Sequence, residues 1–137
     1  PDFSIVLAGD RGDHDALVNH PILRLDGIVN MLGETDFSQL CVMLKGGLAV
    51  IANDSGIMHI ANALETPLLA LYGPTDNTRT RPLSWSSIIL RSENDCFCGC
   101  YAFRSDEDAL LEKFGADYCM KDITPSNVLS ALESIIK

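Results

Sequence analysis

Basic residues are scarce in this chain, and the scarcity removes a class of partner. Ten Lys and Arg stand against 19 Asp and Glu, a formal charge of −9. No basic surface is available to neutralise a nucleic-acid backbone, so nucleic acid is excluded. A single nucleotide is not, because helix N–H groups hold phosphate without basic side chains. Long apolar runs are missing too, and none approaches the roughly 20 residues that span a bilayer. No signal-peptide pattern opens the chain, since Pro1-Asp2-Phe3 leads almost directly into a strand. A soluble, intracellular domain is expected. There is no Walker A sequence, and Gly9-Asp10-Arg11-Gly12 lacks the G-x-G-x-x-G spacing. G-x-S-x-G is also absent, and Ser55 in Asp-Ser-Gly is followed by no triad arrangement, which argues against a hydrolase. Aromatics make up only 7%. Small aliphatics are plentiful, as expected where parallel strands are buried on both faces.

What is present is enough for one domain over residues 1–137, with 47% hydrophobic residues to fill a core. Strand and helix signals alternate. Phe3 to Ala8 reads as a strand, Asp13 to about Asn19 as a helix with an acidic start, and Gly27 to Leu32 as a weaker strand. Asp36 and Gln39 resemble a capping box opening a second helix, with Phe37, Leu40, Cys41 and Leu44 at helical spacing and Gly46-Gly47 as its end. Leu48–Ala52, Leu68–Tyr72 and Ser87–Leu90 follow as strands, with Ile57–Leu64 as the helix between the first two. Ser105 caps a further predicted helix that Gly115 stops, and Thr124-Pro125 opens the last one. The expected fold class is α/β: a Rossmann-like open parallel sheet with helices on both faces, joined by right-handed crossovers. Ligands in such sheets bind beyond the carboxyl ends of the strands. The Gly-Asp-Arg-Gly, Asn-Asp-Ser-Gly and Tyr-Gly-Pro-Thr turns all sit at such ends and are expected to converge on one crevice.

The most informative segment is Asn53-Asp54-Ser55-Gly56-Ile57-Met58-His59, where a buried strand feeds a helix through an Asp-Ser-Gly turn. Unpaired N–H groups at Ser55 and Gly56, at the positive end of the helix dipole, make a phosphate site. Asp54 either bonds ligand hydroxyls or caps the helix. Gly56 either admits a phosphate to the backbone or satisfies turn geometry. His59, one turn into the helix, either donates to a diphosphate or packs as a hydrogen-bonded histidine. Asp13 and Asp15 are candidates for ribose hydroxyls, against the plainer role of partners for a helix dipole. Thr75 and Asp76 contact a ligand or close a Pro-initiated turn. Arg79 and Arg81 fit ordinary surface charge better than phosphate neutralisation, and Met58 and Ile60 are expected in the core.

Five cysteines are present. Cys41 sits at an apolar helix position and is expected to be an inert core thiol. Cys96, Cys98 and Cys100, with Cys119 later, supply four thiolates for a tetrahedral zinc or iron site. Their C-x-C spacing departs from the usual C-x2-C, and it favours reduced or opportunistically oxidised loop thiols over a metal. An odd number of cysteines does not suggest a secreted disulfide scaffold.

Asn53-Asp54-Ser55-Gly56-x-x-His59-x-Ala61-x-Ala63-Leu64, then Thr66-Pro67, then Leu71-Tyr72-Gly73-Pro74-Thr75-Asp76, resembles glycosyltransferase family 9. These are the ADP-heptose:lipopolysaccharide heptosyltransferases and their relatives. Leu32-Gly33-Glu34-Thr35-Asp36 and Cys119-Met120-x-Asp122-Ile123-Thr124-Pro125-x-x-Val128 match as well, so the similarity covers nearly the whole chain. The resemblance implies one half of a GT-B glycosyltransferase, the C-terminal domain that binds the nucleotide-sugar donor. By that likeness Asp54, Ser55, Gly56 and His59 grip the diphosphate and sugar, with Gly73, Pro74 and Thr75 in a secondary role. Asp15, with Asp13 close behind, holds the ribose, and Thr35 lies near the base.

The general base and acceptor site would belong to an N-terminal domain absent from this chain, which is then expected to be inactive alone. Inverting transfer from ADP-heptose or another nucleoside-diphosphate sugar to a lipopolysaccharide-type glycan would need no metal or other cofactor. It would take place in the cytoplasm or at the inner face of the inner membrane, with peripheral membrane contact compatible. Two departures stand out: Gly9-Asp10-Arg11-Gly12 replaces the family's Gly-Gly-Pro-type turn, and the cysteine loop keeps its C-x-C-x-C spacing. The alternative from another class is a non-catalytic nucleotide-sugar binding module.

Overall fold

The computed structural model describes residues 3–73, 75–92 and 120–136. The expected helix from Ser105, the loop of Cys96, Cys98, Cys100 and Cys119, and Pro74 lie outside the described residues. The chain divides into two compact units, Pro1–Met43 and Leu44–Lys137.

In the first unit β1 (Ile5–Leu7) and β2 (Ile28–Asn30) pair in parallel, Ile5 opposite Ile28 and Leu7 opposite Asn30. Between them α1 spans Arg11–Leu17, two residues earlier than the acidic-start reading. The shift has a local cause. Asp10 is the N-cap and forms a capping box with Asp13: Asp13 N–H donates to Asp10 Oδ1 at 3.0 Å, and Asp10 N–H donates to Asp13 Oδ2 at 2.9 Å. A 3₁₀ turn over Pro21–Arg24 follows. After β2 the chain reverses at Gly33, whose φ of +71° only glycine adopts freely. Its N–H donates to Gly9 O at 3.0 Å and ties the turns after β1 and β2 together.

Helix α2 (Phe37–Gly46) opens on the expected capping box, with Gln39 N–H to Asp36 Oδ1 at 2.8 Å and Asp36 N–H to Gln39 Oε1 at 2.9 Å. Its apolar face is only partly covered. Leu44 is buried, Cys41 is half-buried rather than in a sealed core, and Phe37 is 70% exposed.

The second unit holds β3 (Val50–Asn53), β4 (Leu68–Tyr72) and β5 (Ser87–Arg91), all parallel, in the order β3-β4-β5. The strands therefore form two parallel sheets among the described residues, not one continuous sheet; the α/β class is as expected. Only the central strand is buried on both faces. Leu68, Leu69, Ala70 and Tyr72 have no exposed surface, which explains the unbroken apolar run. Helix α3 (Gly56–Ala63) makes the crossover from β3 to β4 and buries Met58 and Ala61, while Ile60 stays half-buried. A short helix α4 (Asn77–Thr80), unforeseen in the sequence, follows β4. Helix α5 (Pro125–Ile135) packs on β4 and β5 and starts from a Thr124 cap that bonds reciprocally with Asn127. None of the described helices is long and apolar enough to cross a membrane.

Candidate functional site

The site in the second unit is built where β3 and β4 end. Parallel pairing sets Asn53 opposite Leu71, so the Asp54-Ser55-Gly56 turn and the Tyr72-Gly73 turn leave the sheet at the same edge. The helix that begins there is capped by Ser55, in extended conformation, and Ser55 makes no side-chain capping bond. The first helical bond at this end runs from His59 N–H to Ser55 O, at 3.4 Å. By helix geometry the N–H groups ahead of His59 have no intrahelical carbonyl. Among the described residues they form a cluster of open donors at the positive end of the dipole.

Asp54, which could equally have capped this helix, does not. Its Oδ2 accepts a hydrogen bond from Thr80 Oγ1 at 2.8 Å, and its Oδ1 lies 3.9 Å from His59 Nε2. The Asp54 side chain is 11% exposed and that of His59 53%. The carboxylate is thus nearly enclosed while the imidazole faces solvent beside the open helix start.

The φ of Gly56 is not in the left-handed region, which among the described glycines is adopted by Gly27 and Gly33. A Cβ built on it would meet nothing within 4 Å. Neither a left-handed φ nor packing among the described residues requires glycine there. Close approach of a ligand to the backbone remains as a physical reason.

Beneath the turn, Tyr72 is fully buried, its hydroxyl 3.4 Å from Met58 Sδ and 3.5 Å from Thr80 Oγ1. Burial pushes the Tyr72 phenol up, the Thr80 hydrogen bond offsets part of this, and the Asp54 charge adds to the rise. Gly73 and Thr75 are half-buried on the same side, and Thr75 Oγ1 is enclosed with no hydrogen-bond partner among the described residues. Asp76 has a role that neither reading named. It caps α4 by accepting from Thr78 N–H at 2.9 Å and Thr78 Oγ1 at 2.7 Å. The Thr78 hydroxyl, then the Thr78 N–H, hold the Asp76 carboxyl below its ordinary value. Arg79 and Arg81 are exposed, in keeping with surface charge.

The remaining candidates belong to the first unit. Asp13 spends its Oδ2 on the α1 capping box. Asp15 is exposed, 3.0 Å from His14 Nδ1 and 3.8 Å from Arg11 Nε. The His14 hydrogen bond, helped by the Arg11 charge and opposed by slight desolvation, lowers its carboxyl. Thr35 lines an open cleft of about 600 Å³ with apolar Val6, Val29, Met31, Val42 and Met43 and polar Glu34, Ser38 and Gln39. A cleft so lined suits a flat, weakly polar group. Among the described residues no group of three or more His, Cys, Asp or Glu could hold a metal ion.

The structure therefore gathers Asp54, Ser55, Gly56, His59 and Gly73 in one unit and Asp13, Asp15 and Thr35 in the other. Sequence reasoning missed Thr80. It lies 26 residues from Asp54 in a four-residue helix, where no periodic signal marks it.

Comparison with known proteins shows the family to which the chain belongs. Residues 2–101 match the model of glycosyltransferase family 9 (heptosyltransferase). Lipopolysaccharide heptosyltransferase 2 of Salmonella typhimurium is 34% identical over 139 residues, covering 98% of this chain and 37% of that protein. Lipooligosaccharide heptosyltransferase 2 of Haemophilus ducreyi is 37% identical over 110 residues, covering 79% of this chain and 30% of its own length. Among solved structures, E. coli ADP-heptose LPS heptosyltransferase II superposes with a TM-score of 0.74 at 30% identity, over 97% of this chain and 36% of that one. A family 9 glycosyl transferase from Veillonella parvula reaches the same TM-score at 22% identity, over 96% of this chain and 36% of that one, and shows the fold alone. The chain thus spans little more than a third of the length of such relatives. The chain belongs to glycosyltransferase family 9, the heptosyltransferase family.

Proposed function

We propose that this chain is the donor-binding domain of an inverting glycosyltransferase. It holds a nucleoside-diphosphate sugar, with ADP-heptose the first candidate, for transfer to a lipopolysaccharide or related glycan. The observation that carries the reading is the start of α3. Ser55 caps without a side-chain bond, Gly56 faces open space, and the exposed His59 ring stands beside the free N–H groups.

Backbone N–H groups and the His59 ring donate to the diphosphate, and these donors strengthen as negative charge builds on the departing nucleoside diphosphate. Asp54 Oδ1, unused by Thr80, accepts from a hydroxyl of the donor. In the first unit, Asp15 with Asp13 takes the ribose, and the cleft beside Thr35 takes the base. The acceptor hydroxyl is deprotonated by a base in an N-terminal domain and attacks the anomeric carbon from the face opposite the leaving group. Binding and orientation are this chain's share. The scheme calls for no metal, because the helix start and His59 take the diphosphate charge. It puts the reaction on the cytoplasmic side of the inner membrane, with peripheral contact to the lipid-linked acceptor.

The test is calorimetric titration of the full-length protein with ADP and ADP-sugar. Each charge-assisted hydrogen bond is worth about 1.5–3 kcal/mol, so Asp54→Ala and His59→Ala should each weaken binding at least about tenfold. Absence of binding to every common nucleotide sugar would refute the reading. Binding without turnover would move it to a non-catalytic nucleotide-sugar module.

A further inference from the structure

The Asp54 carboxylate is held by something outside its own loop. Its side chain is only 11% exposed, so an ionised carboxylate there needs donors close by. Asp54 itself does not fix the orientation of its carboxylate plane, because the terminal torsion of an aspartate is broad. Among the described residues, the hydrogen bond that sets this plane comes from Thr80 Oγ1, at 2.8 Å to Oδ2.

Thr80 has one hydroxyl proton and three acceptors within reach: Asp54 Oδ2 at 2.8 Å, Asp76 O at 3.3 Å and Tyr72 Oη at 3.5 Å. The short bond to the carboxylate wins, since a charged acceptor roughly doubles its strength. The buried Tyr72 hydroxyl then gives its own proton to Met58 Sδ or back to Thr80 Oγ1, and either choice leaves the Thr80 proton on Asp54. Thr80 is itself placed by α4, whose start is pinned where Asp76 accepts from Thr78. One hydroxyl so ties the ends of β3 and β4 to α3 and α4. It turns Oδ2 away from the helix start and leaves Oδ1 facing His59 at 3.9 Å.

We propose that Thr80 is a positioning residue of the donor site, acting through Asp54 to fix the orientation in which its carboxylate meets His59 and the donor. This rests on the donor-binding reading above.

The experiment is steady-state kinetics on the full-length protein, varying donor and acceptor separately. It compares Thr80→Val, which keeps shape and loses the hydroxyl, Thr80→Ser, which keeps the hydroxyl, and Asp54→Ala alone and combined with Thr80→Val. Thermal unfolding accompanies each variant, and Thr80→Ala replaces Thr80→Val if the valine branch disturbs α4. The expected result is a roughly tenfold loss in kcat/KM for the donor with Thr80→Val. Acceptor KM stays unchanged, Thr80→Ser recovers to within about twofold, and Thr80→Val adds no further loss on an Asp54→Ala background. A donor kcat/KM unaffected by Thr80→Val, equal damage from serine and valine, or fully additive losses would overturn the assignment. A damaged Asp54→Ala beside an intact Thr80→Val overturns this inference alone, whereas an intact Asp54→Ala overturns the donor-site reading with it.

Discussion

Gly56→Ala separates a glycine kept for the fold from a glycine kept for a ligand. Gly56 is the first residue of α3, outside the left-handed region, and a Cβ there would meet no atom within 4 Å. Alanine should fit without strain. It also restricts the unfolded chain more than glycine does, which at a compatible site stabilises by about 0.4–1 kcal/mol. In a domain of this size that corresponds to a rise in Tm of roughly 2–4 °C. The same methyl would stand in the space through which a diphosphate oxygen must come to about 2.9 Å from a backbone nitrogen. Pushing that oxygen outward removes one charge-assisted hydrogen bond, about 1.5–3 kcal/mol, or roughly 10- to 100-fold in affinity.

The assay pairs thermal unfolding without nucleotide with ADP titration by calorimetry, both on full-length protein. The expected outcome is opposite signs: a protein slightly more stable and a nucleotide bound much more weakly. Unchanged ADP affinity would refute the close-approach argument. A clear loss of stability would show that the fold itself needs glycine there.

Three further outcomes test the packing and electrostatics around the site. Met58 is fully buried with its sulfur against the Tyr72 hydroxyl, so Met58→Ala should cost about 2–5 kcal/mol in denaturant unfolding. Thr66 is 2% exposed and its hydroxyl has no partner among the described residues, so Thr66→Val should raise stability by about 1 kcal/mol; a loss instead would mean the hydroxyl is hydrogen-bonded. Asp76 has a folded-state carboxyl held below the ordinary 3.8, so its capping contribution is present above that value and fades as pH falls through the lower folded one. Asp76→Ala should therefore lower Tm at neutral pH, with the gap to the parent closing in acid; a gap independent of pH would sink the capping account.

Much of the fold could be read where one principle acts alone. The run Leu68–Tyr72 is apolar throughout because the central strand is buried on both faces, and its bounds are those of β4. Asp36 with Gln39, and Thr124 before Pro125, mark helix starts through bonds that span three residues, a reach that sequence shows directly. Legibility failed where two residues compete for one task. Asp10 and Asp13 both suit a helix start, and only their mutual capping box settles that α1 begins at Arg11. Asp54 and Ser55 both make good caps, and the helix takes Ser55. It also failed for pairings at long range. The division of the strands into two sheets and the Thr80–Asp54 bond depend on how elements dock, which neither periodicity nor a short motif records.

The competition between Asp54 and Ser55 bears on how so acidic a chain would hold the proposed diphosphate. A carboxylate that capped α3 would accept from the N–H groups an anion needs. It would also stand within about 4 Å of that anion, a repulsion of about 4 kcal/mol at an effective dielectric of 20. The structure avoids the first effect by assigning the cap to a neutral serine that makes no side-chain capping bond. Asp54 is turned aside, one oxygen on Thr80 and the other toward His59, whose imidazole stands as a donor on the open side. The overall charge of −9 is then of little consequence. Fields from scattered surface carboxylates are screened within a Debye length of about 8 Å at physiological salt, whereas the helix start acts at contact. A motif of the form Asp-Ser-Gly-x-x-His combines these needs: an acid diverted from the cap, a neutral cap, a residue without a side chain where the anion enters, and a donor one turn on.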